Sequence, residues 1–566
     1  MTRIPRRLIW ALQPVAIGLV LWLALGGTQR DVRAPLVFSG DGLVTLAEAR
    51  WIMTHGAWAG PGSNPIPDAG SLPLRARIDR AAISVAHLFS RRVPAVVTMA
   101  WALMLMVGGA SAAWCLRSLG VSVPGAWSVG VLFAFCPFAL FHHTANLSLM
   151  PYLVPFAATA ALQLASGRWA TADRRVRIAL VAGTALLGFN LVFHALFAAF
   201  FIVIGAIAGF VRTRERHSLV VGAAILAALV VTSVVNLTST RASSPPDYGA
   251  GGGLTHPTHA EAFGLKIRHL VSPLPGHWFP PFRAWAARDA QSRFPDEPEP
   301  AGARLGLIAV VGFLGLVTVL LSPGAAGTGR ESETIRSAAR LTFAAVALAT
   351  VGGFGAVLNL LVPANAPVYA RITPFVAFFS LAALALAVDR MTLARDRWRG
   401  TTWAGLLIVG LLDQSVAFRP LEAKRAAIDI EFRALREFLS GLEQRLPAGA
   451  LVMQLPIRPY PVDRGIAHMR PYDHFKPGVI SGVLRWSYPA VSADEVRRQA
   501  EAAAVESRDL PAHLARQGFS AILVDKLGYP DQGAAILAAL QAGALPAQPW
   551  IQDDRYVALC LAKCQE

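Results

Sequence analysis

The chain has 566 residues, of which 54% are hydrophobic and only 15% are charged. Its mean hydropathy of +0.47 excludes an ordinary soluble globular protein, because so apolar a composition is typical of chains that cross a membrane several times. The formal net charge of +17 comes mainly from arginine-rich connections between apolar runs. We therefore interpret the charge as a consequence of membrane topology and expect no nucleic-acid partner.

Eleven apolar runs recur along the chain, each of roughly 17–22 residues and long enough for the ~30 Å hydrocarbon core of a bilayer. The run at 177–211 fits either one kinked helix or two spans, and its length favours a tight hairpin of two. The predicted spans are 8–27, 94–115, 124–141, 147–165, 177–193, 195–211, 218–236, 304–321, 339–361, 370–388 and 402–417.

Arginine is concentrated in alternate connections, beginning with Arg3, Arg6 and Arg7 before the first span. Short connections enriched in Lys and Arg stay on the cytoplasmic side. We therefore expect a multi-pass protein whose N-terminus is cytoplasmic. An odd number of spans then places the C-terminus outside the cytoplasm.

The outer side carries two loops, 28–93 and 237–303, and an extracytoplasmic α/β domain at 419–566. The preceding residues 1–418 form the transmembrane domain, so the predicted fold class is a mainly α, polytopic membrane protein with an α/β domain at its C-terminus. In the α/β domain, strand-like runs alternate with helical patterns. The strand-like runs are 451–455, 521–524 and 556–559, and the helical patterns are 429–445, 508–517 and 532–543.

Asp41 is the first candidate for chemistry. It follows the first span and begins a segment, 41–55, whose apolar residues recur at helical spacing. This pattern predicts a helix that lies flat on the membrane surface. Asp41 can serve as the N-cap of that helix, the commoner role for Asp at such a position, or as a general base that removes a proton from an acceptor hydroxyl. Glu48 on the same helix is expected on its solvated face.

Further polar residues cluster where the chain turns outside the membrane. His142, His143 and Asn146 occupy one short outer turn. A polar turn is expected there in any case, but two adjacent histidines and an asparagine exceed what a turn requires. They are therefore candidates for contact with a substrate. At the next outer turn, His194 and Asn190 are expected to be structural groups with satisfied hydrogen bonds.

The second outer loop holds the cations best placed for a phosphate group. Lys266 and His269 lie in its densest polar stretch, and His277 follows. Arg371 begins a span at its outer end, where it binds phosphate or simply reaches the interface. Tyr369 beside it is a further candidate for substrate contact.

No CxxC or His-rich metal-ligand spacing appears, and the sequence alone points to no particular cofactor. Cys560 and Cys564 are separated by a short loop, so free thiols are expected.

Several short motifs, in this order, resemble the GT-C class of integral-membrane glycosyltransferases, and most closely a largely uncharacterised group of bacterial membrane proteins. The resemblance spans nearly the whole chain. Gly42 departs from the pattern, since a small residue such as Ala is usual there, and Trp278 stands where a basic residue is typical. The motifs are Ser39–Leu43, Leu132–Pro137, Tyr152–Pro155, Gly264–Lys266, Ser272–His277, Arg371–Ile372 and Leu484–Tyr488.

The resemblance implies a bacterial inner-membrane enzyme that moves a sugar from a polyprenyl-phosphate carrier to an extracytoplasmic glycan or glycolipid, among membrane lipids. Asp41 would be the catalytic base, and Lys266, Arg371 and His269 would bind the phosphate. A single displacement would invert the anomeric configuration. Members of the class often carry a second acidic residue in the first loop. Asp68 and Asp79 both fit that role, which leaves a divalent metal open.

Two other functions fit the same topology. A transporter of lipid-linked saccharides would place charged groups deep within its spans, and these spans are nearly free of charge. A non-catalytic partner in cell-surface polysaccharide assembly could retain the fold without the activity.

Overall fold

The computed structural model describes residues 6–27, 33–56, 77–241, 259–291, 302–361, 368–392, 396–460, 465–490, 493–543, 545 and 547–561. Helices dominate this part of the chain. They are α1 (Arg6–Ala24), α2 (Asp41–His55), α3 (Arg77–His87), α4 (Val93–Ser118), α5 (Val123–Ala134), α6 (Pro137–His142), α7 (Val154–Ala165), α8 (Arg174–Leu186), α9 (Val192–Thr213), α10 (His217–Arg241), α11 (His259–Ala262), α12 (Ile267–Val271), α13 (Pro280–Ala290), α14 (Leu307–Leu321), α15 (Arg330–Ala349), α16 (Phe354–Leu361), α17 (Thr373–Thr392), α18 (Asp396–Ser415), α19 (Arg419–Glu443), α20 (Phe475–Ile480), α21 (Ala493–Ala504), α22 (Leu510–Arg516) and α23 (Ala534–Gln541).

Seven helical segments among the described residues are long and apolar enough to cross a membrane. Two shorter apolar helices, Leu12–Ala24 and Leu307–Leu321, accompany them. The chain is therefore a multi-pass membrane protein. The seven segments are Val93–Ser118, Val123–Ala145, Leu147–Ala165, Val192–Thr213, His217–Thr238, Tyr369–Thr392 and Trp398–Glu443.

Each of the eleven predicted spans contains helix, and seven of them coincide with the seven long apolar segments. The run at 177–211 is two helices, α8 and α9, which both pack against α7 and α10. The predicted span 339–361 is broken between α15 and α16, where Gly352 has a φ of +71° that ends a helix readily. The number of membrane crossings stays a prediction.

The C-terminal part contains a five-stranded mixed sheet in the order β2-β1-β3-β5-β4. β1 is parallel to β2 and β3, whereas β5 is antiparallel to both β3 and β4. The predicted α/β character and the three predicted strands, β1, β3 and β5, are confirmed. The five strands are β1 (Leu451–Leu455), β2 (Arg485–Trp486), β3 (Phe519–Asp525), β4 (Pro549–Gln552) and β5 (Tyr556–Cys560).

Cys560 at the end of β5 is disulfide-bonded, which corrects the expectation of a free thiol. Cys564 lies outside the described residues. Cys115 and Cys136 are buried free thiols.

The helix that begins at Asp41 is enclosed by other elements, and its predicted position on the membrane surface stays a prediction. α2 packs against α3, α4 and α20, so it is enclosed between membrane helices and the C-terminal part. This enclosure agrees with the sequence of α2, whose buried residues cover more than one face of the helix. These residues are Gly42, Leu43, Val44, Thr45, Leu46, Ala49, Trp51 and Ile52.

A buried ion network joins the sheet to α19. The Arg555 guanidinium lies 2.7 Å from carboxylate oxygens of both Asp473 and Asp525, and 2.6 Å from Glu431. The Lys476 ammonium lies 2.7 Å from Asp473 and 2.6 Å from Glu431. Two cations thus neutralise three carboxylates, two of which are almost fully buried.

The same network reaches the segment that leads into α2. The Lys476 ammonium lies 5.2 Å from the centre of the Phe38 ring, a distance typical of a cation–π contact. Phe38 also meets Phe432 of α19 edge to face, with ring centres 5.5 Å apart. The C-terminal part therefore fixes the position of the chain three residues before Asp41.

Arg555→Met tests the network. Removing the guanidinium leaves Asp473 and Asp525 buried without it, so we expect a loss of about 3–5 kcal/mol in stability and a clearly lower Tm. Thermal unfolding of the purified full chain, followed by tryptophan fluorescence, measures this. Arg497→Met is the matched control, because Arg497 pairs with Asp494 on an exposed surface and should leave the Tm nearly unchanged. Equal effects of the two variants would contradict the structural role of the network.

Candidate active site

Asp41 is the first residue of α2, and its side chain is exposed. The chain enters the helix through Gly40, which has a φ of +54° and makes no side-chain capping bond. The capping role considered for Asp41 is therefore not what the structure shows, because the cap position falls on glycine. At this position the Asp41 side chain lies beside the unpaired backbone N–H groups of the first helical turn.

Gly42 is closely packed against the irregular segment before the helix. A Cβ at Gly42 would lie 2.7 Å from Cγ1 of Val37, closer than such contacts allow. Gly42, which departs from the GT-C pattern, therefore fits this site because Val37 fills the space that a side chain would need.

Asp41 opens onto a cleft of about 490 Å³. Thr45, one turn into α2, donates a hydrogen bond of 2.8 Å to the carbonyl oxygen of Ala145 and so fixes the outer turn against the helix. The lining is polar and carries both signs of charge. It consists of Asp41, Val44, Thr45, Glu48, Ile52, Asp79, Arg80, Ile83, Ala145, Asn146, Leu147 and Ser148.

Three carboxyl groups therefore share one cleft. Asp41 and Asp79 were candidates from the sequence, whereas Glu48 was not. Glu48 is half-buried in the lining rather than on a solvated face, which corrects the expectation for this residue. Its position follows from helical spacing, since residues 41, 45, 48 and 52 lie along one side of α2. Asp68, the other candidate acid of the first loop, lies outside the described residues.

Asp79 differs from Asp41 in its surroundings. It is buried, and its carboxylate lies 3.5 Å from the Tyr152 hydroxyl. Burial raises the pKa of Asp79 well above its usual value, and the charge of Glu48 raises it further, against smaller opposing effects of Tyr152 and Arg80. The cleft thus places a carboxyl group that favours protonation beside an exposed carboxylate.

The outer turn has two sides. Asn146 lines the Asp41 cleft and its side-chain oxygen accepts a 2.7 Å bond from Ser148. His143 accepts a 3.2 Å bond from the backbone N–H of Ala145. His142 is buried and does not line the cleft, and the charge of Arg371 acts on it.

Arg371 is surrounded by aromatic and imidazole rings. Its guanidinium lies 4.6 Å from the centre of the Phe193 ring, and its charge acts on both His142 and His194. Among the described residues, Nε2 of His142 and both ring nitrogens of His194 have no hydrogen-bond partner. Buried imidazoles without partners are unusual unless a ligand or water completes them, so His194 is a functional candidate that the sequence analysis took for a structural group.

Lys266 reaches the neighbourhood of Arg371 through the backbone. The carbonyl oxygen of Phe263 accepts a 3.1 Å bond from the N–H of Ala370, and Leu265 pairs with Thr350. These bonds hold Lys266 on a segment that runs beside the turn containing Arg371. The two cations predicted to bind one phosphate therefore come from neighbouring segments.

The remaining predicted site residues are buried. His269 is fully enclosed. His277 lies 3.2 Å from Asp413, which also accepts a 2.8 Å bond from the backbone N–H of Leu307. Tyr369 donates a 2.9 Å bond to Asn359. None of these three side chains lines the Asp41 cleft, and their part in substrate binding stays a prediction.

The described residues contain no group of three or more His, Cys, Asp or Glu side chains arranged to hold a metal ion. The three carboxyl groups of the cleft line it without converging on one point.

Two solved structures of ArnT from Cupriavidus metallidurans are similar to this chain. The structure bound to undecaprenyl phosphate has 13% sequence identity and a TM-score of 0.49, and the match covers 98% of both chains. The structure in the apo state has 14% identity and the same TM-score and coverage. No protein-family model matches the chain, and no curated protein matches it. At such identity and TM-score the likeness assigns no function, which must come from the side chains themselves.

Proposed function

We propose that the chain is a GT-C-type membrane glycosyltransferase, which moves a sugar from a polyprenyl-phosphate carrier to an extracytoplasmic glycan or lipid acceptor. The observation that carries the proposal is the exposed carboxylate of Asp41 at a polar cleft, together with the Arg371 charge that acts on the buried His142 and His194. The outer turn at 142–146 would thus lie between the acceptor and the phosphate of the donor.

In the proposed reaction, the Asp41 carboxylate takes the proton of the acceptor hydroxyl. The hydroxyl oxygen attacks the anomeric carbon of the donor sugar, and the bond from that carbon to the phosphate oxygen breaks. Polyprenyl phosphate leaves with the bonding electrons. Attack opposite to the leaving group inverts the anomeric configuration.

Arg371 and Lys266 would stabilise the charge that develops on the leaving phosphate. The unpartnered nitrogens of His142 and His194 would hydrogen-bond the phosphate or the sugar. The arrangement favours a phosphorylated donor, because a cation among buried imidazoles gains more from an anion than from a neutral ligand.

Asp79 would act differently from Asp41. A protonated carboxyl group in the cleft can donate a hydrogen bond to the acceptor while Asp41 receives its proton, and such pairs of unequal carboxyl groups are common in acid–base sites. Asp79 is thus the candidate for the second acidic residue of the first loop.

Asp41→Asn tests the base. The amide keeps the shape of the side chain but cannot take a proton, so we expect transfer to fall by roughly a hundredfold or more. The variant is expressed in a deletion strain, and both the surface-glycan composition and the membrane level of the protein are measured. Normal levels with the glycan of the deletion strain are the expected result.

Asp554→Asn is the control, because it makes the same chemical change at an exposed carboxylate far along the chain. Full complementation by Asp41→Asn would overturn the proposal and favour a transporter or a non-catalytic assembly partner.

Asp79→Asn tests the protonation state. The raised pKa of Asp79 means that the folded chain holds a proton that the unfolded chain releases above about pH 4. Stability from this group is present below that pH and is lost as the pH rises towards the folded-state pKa. We expect the Tm of the variant relative to wild type to increase between pH 5 and pH 8, measured by thermal unfolding. A difference independent of pH would contradict the protonated state.

Arg371→Met tests the donor side. Loss of a charged hydrogen-bond donor to phosphate costs about 1.5–3 kcal/mol, so we expect affinity for undecaprenyl phosphate to fall roughly tenfold to a hundredfold. Native mass spectrometry of the purified full chain measures this binding. Arg340→Met, on an exposed position of α15, is the matched control. Unchanged affinity in Arg371→Met would remove Arg371 from the donor site.

A further inference from the structure

A second cavity of about 1090 Å³ lies on another face of α2 and is strongly basic. Five of its twelve lining residues are arginines, and none is acidic. It shares no lining residue with the Asp41 cleft. The arginines are Arg33, Arg50, Arg91, Arg92 and Arg436, and the other lining residues are Met53, Thr54, Val93, Pro94, Phe432, Val479 and Ile480.

The arginines come from four separate segments. Arg50 projects from α2 and donates a 2.6 Å bond to the carbonyl oxygen of Val479. Arg436 of α19 lies 5.2 Å from the centre of the Phe432 ring. Arg91 and Arg92 directly precede α4, and Arg33 precedes α2. Tertiary folding therefore assembles this charge, which a single basic stretch of sequence would not produce.

The lining of the cavity has no negative charge to balance its arginines. Burial lowers the pKa of Arg50 to about 10, and the nearby charge of Glu443 works against that effect. Within the described residues, neither Arg91 nor Arg92 forms an ion pair. Several guanidinium groups around one space repel each other, so an anion bound among them gains from all of them together.

The remaining lining residues are mostly apolar, and two of them begin a membrane helix. Val93 and Pro94 form the first turn of α4 and line the cavity. Just before the two arginines, Leu88 and Phe89 are 80% and 75% exposed. Large apolar side chains exposed beside cations are typical of a segment in contact with the membrane interface.

We propose that this cavity binds the phosphate headgroup of an anionic membrane lipid. The phosphate would lie among Arg91, Arg92 and Arg436, since the planar guanidinium binds phosphate oxygens in pairs. The glycerol and the first part of the acyl chains would contact Val93, Pro94 and the neighbouring apolar wall. A lipid rather than free phosphate fits, because the cavity joins a cationic end to an apolar one beside a membrane helix.

The test uses the purified full chain in detergent and phosphatidic acid as the probe, with native mass spectrometry to measure binding. The variant is the triple substitution Arg91→Gln, Arg92→Gln and Arg436→Gln. We expect its affinity for phosphatidic acid to fall at least tenfold, while weak binding of phosphatidylcholine stays unchanged. The matched control is Arg497→Gln, Arg508→Gln and Arg516→Gln, which removes the same charge from exposed positions of the C-terminal part.

A charge-conserving pair, Arg91→Lys with Arg92→Lys, covers the case in which the triple variant does not fold. It should weaken binding severalfold, because lysine keeps the charge but loses the paired geometry. Arg371→Met should leave this binding intact, which separates the lipid cavity from the proposed donor site. Equal losses in the control and cavity variants, no loss in either cavity variant, or equal affinity for inorganic phosphate would each overturn the proposal.

Discussion

The enclosure of α2 is the constraint on which the rest of the structure depends. An amphipathic helix outside the spans would ordinarily rest on the membrane, but α2 is covered by α3 and α4 on one side and by α20 on the other. Arg50 closes the contact with the C-terminal part through its bond to Val479. Because both ends of the helix are held, Asp41 at its first residue has a defined position relative to the outer turn.

This enclosed helix separates two polar spaces of opposite character. The cleft beside Asp41 carries three carboxyl groups and one arginine, whereas the cavity beyond Arg50 carries five arginines and no acid in its lining. Proton removal is favoured where carboxyl groups gather, and anion binding where guanidinium groups gather. The buried network of Arg555 and Lys476 supports this division, since it anchors the sheet against the segment that leads into α2.

Much of the architecture could be predicted, because apolar runs and the alternation of strand-like and helical segments can be read from the local sequence. β3 is a continuous apolar run, Ala521–Val524, and is recognisable alone. β2 has only two residues, Arg485 and Trp486, and exists because its neighbour β1 offers hydrogen bonds. The number of helices long enough to cross a membrane was harder to predict. Gly352 breaks an apolar run that looks continuous from its composition alone.

The candidate site was predictable only in part, because local sequence signals do not reveal tertiary contacts. Asn146 and Arg371 lie next to predicted span ends and Asp41 lies in the loop after the first span, so topology predicted that all three lie near the membrane surface. The roles of Glu48, Asp79 and His194 depend on tertiary contacts. Burial decides that Asp79 favours its protonated form, and the approach of Arg371 makes His194 a candidate ligand for substrate. No spacing in the sequence encodes those contacts.

The most direct test of the account is an experimental structure of the full chain with bound undecaprenyl phosphate. We expect the phosphate within about 3 Å of the Arg371 and Lys266 side chains, its chain between membrane helices, and the Asp41 cleft open on the other side of the 142–146 turn. A phosphate bound only in the arginine-lined cavity beyond Arg50, away from Arg371, would contradict the proposed transfer site.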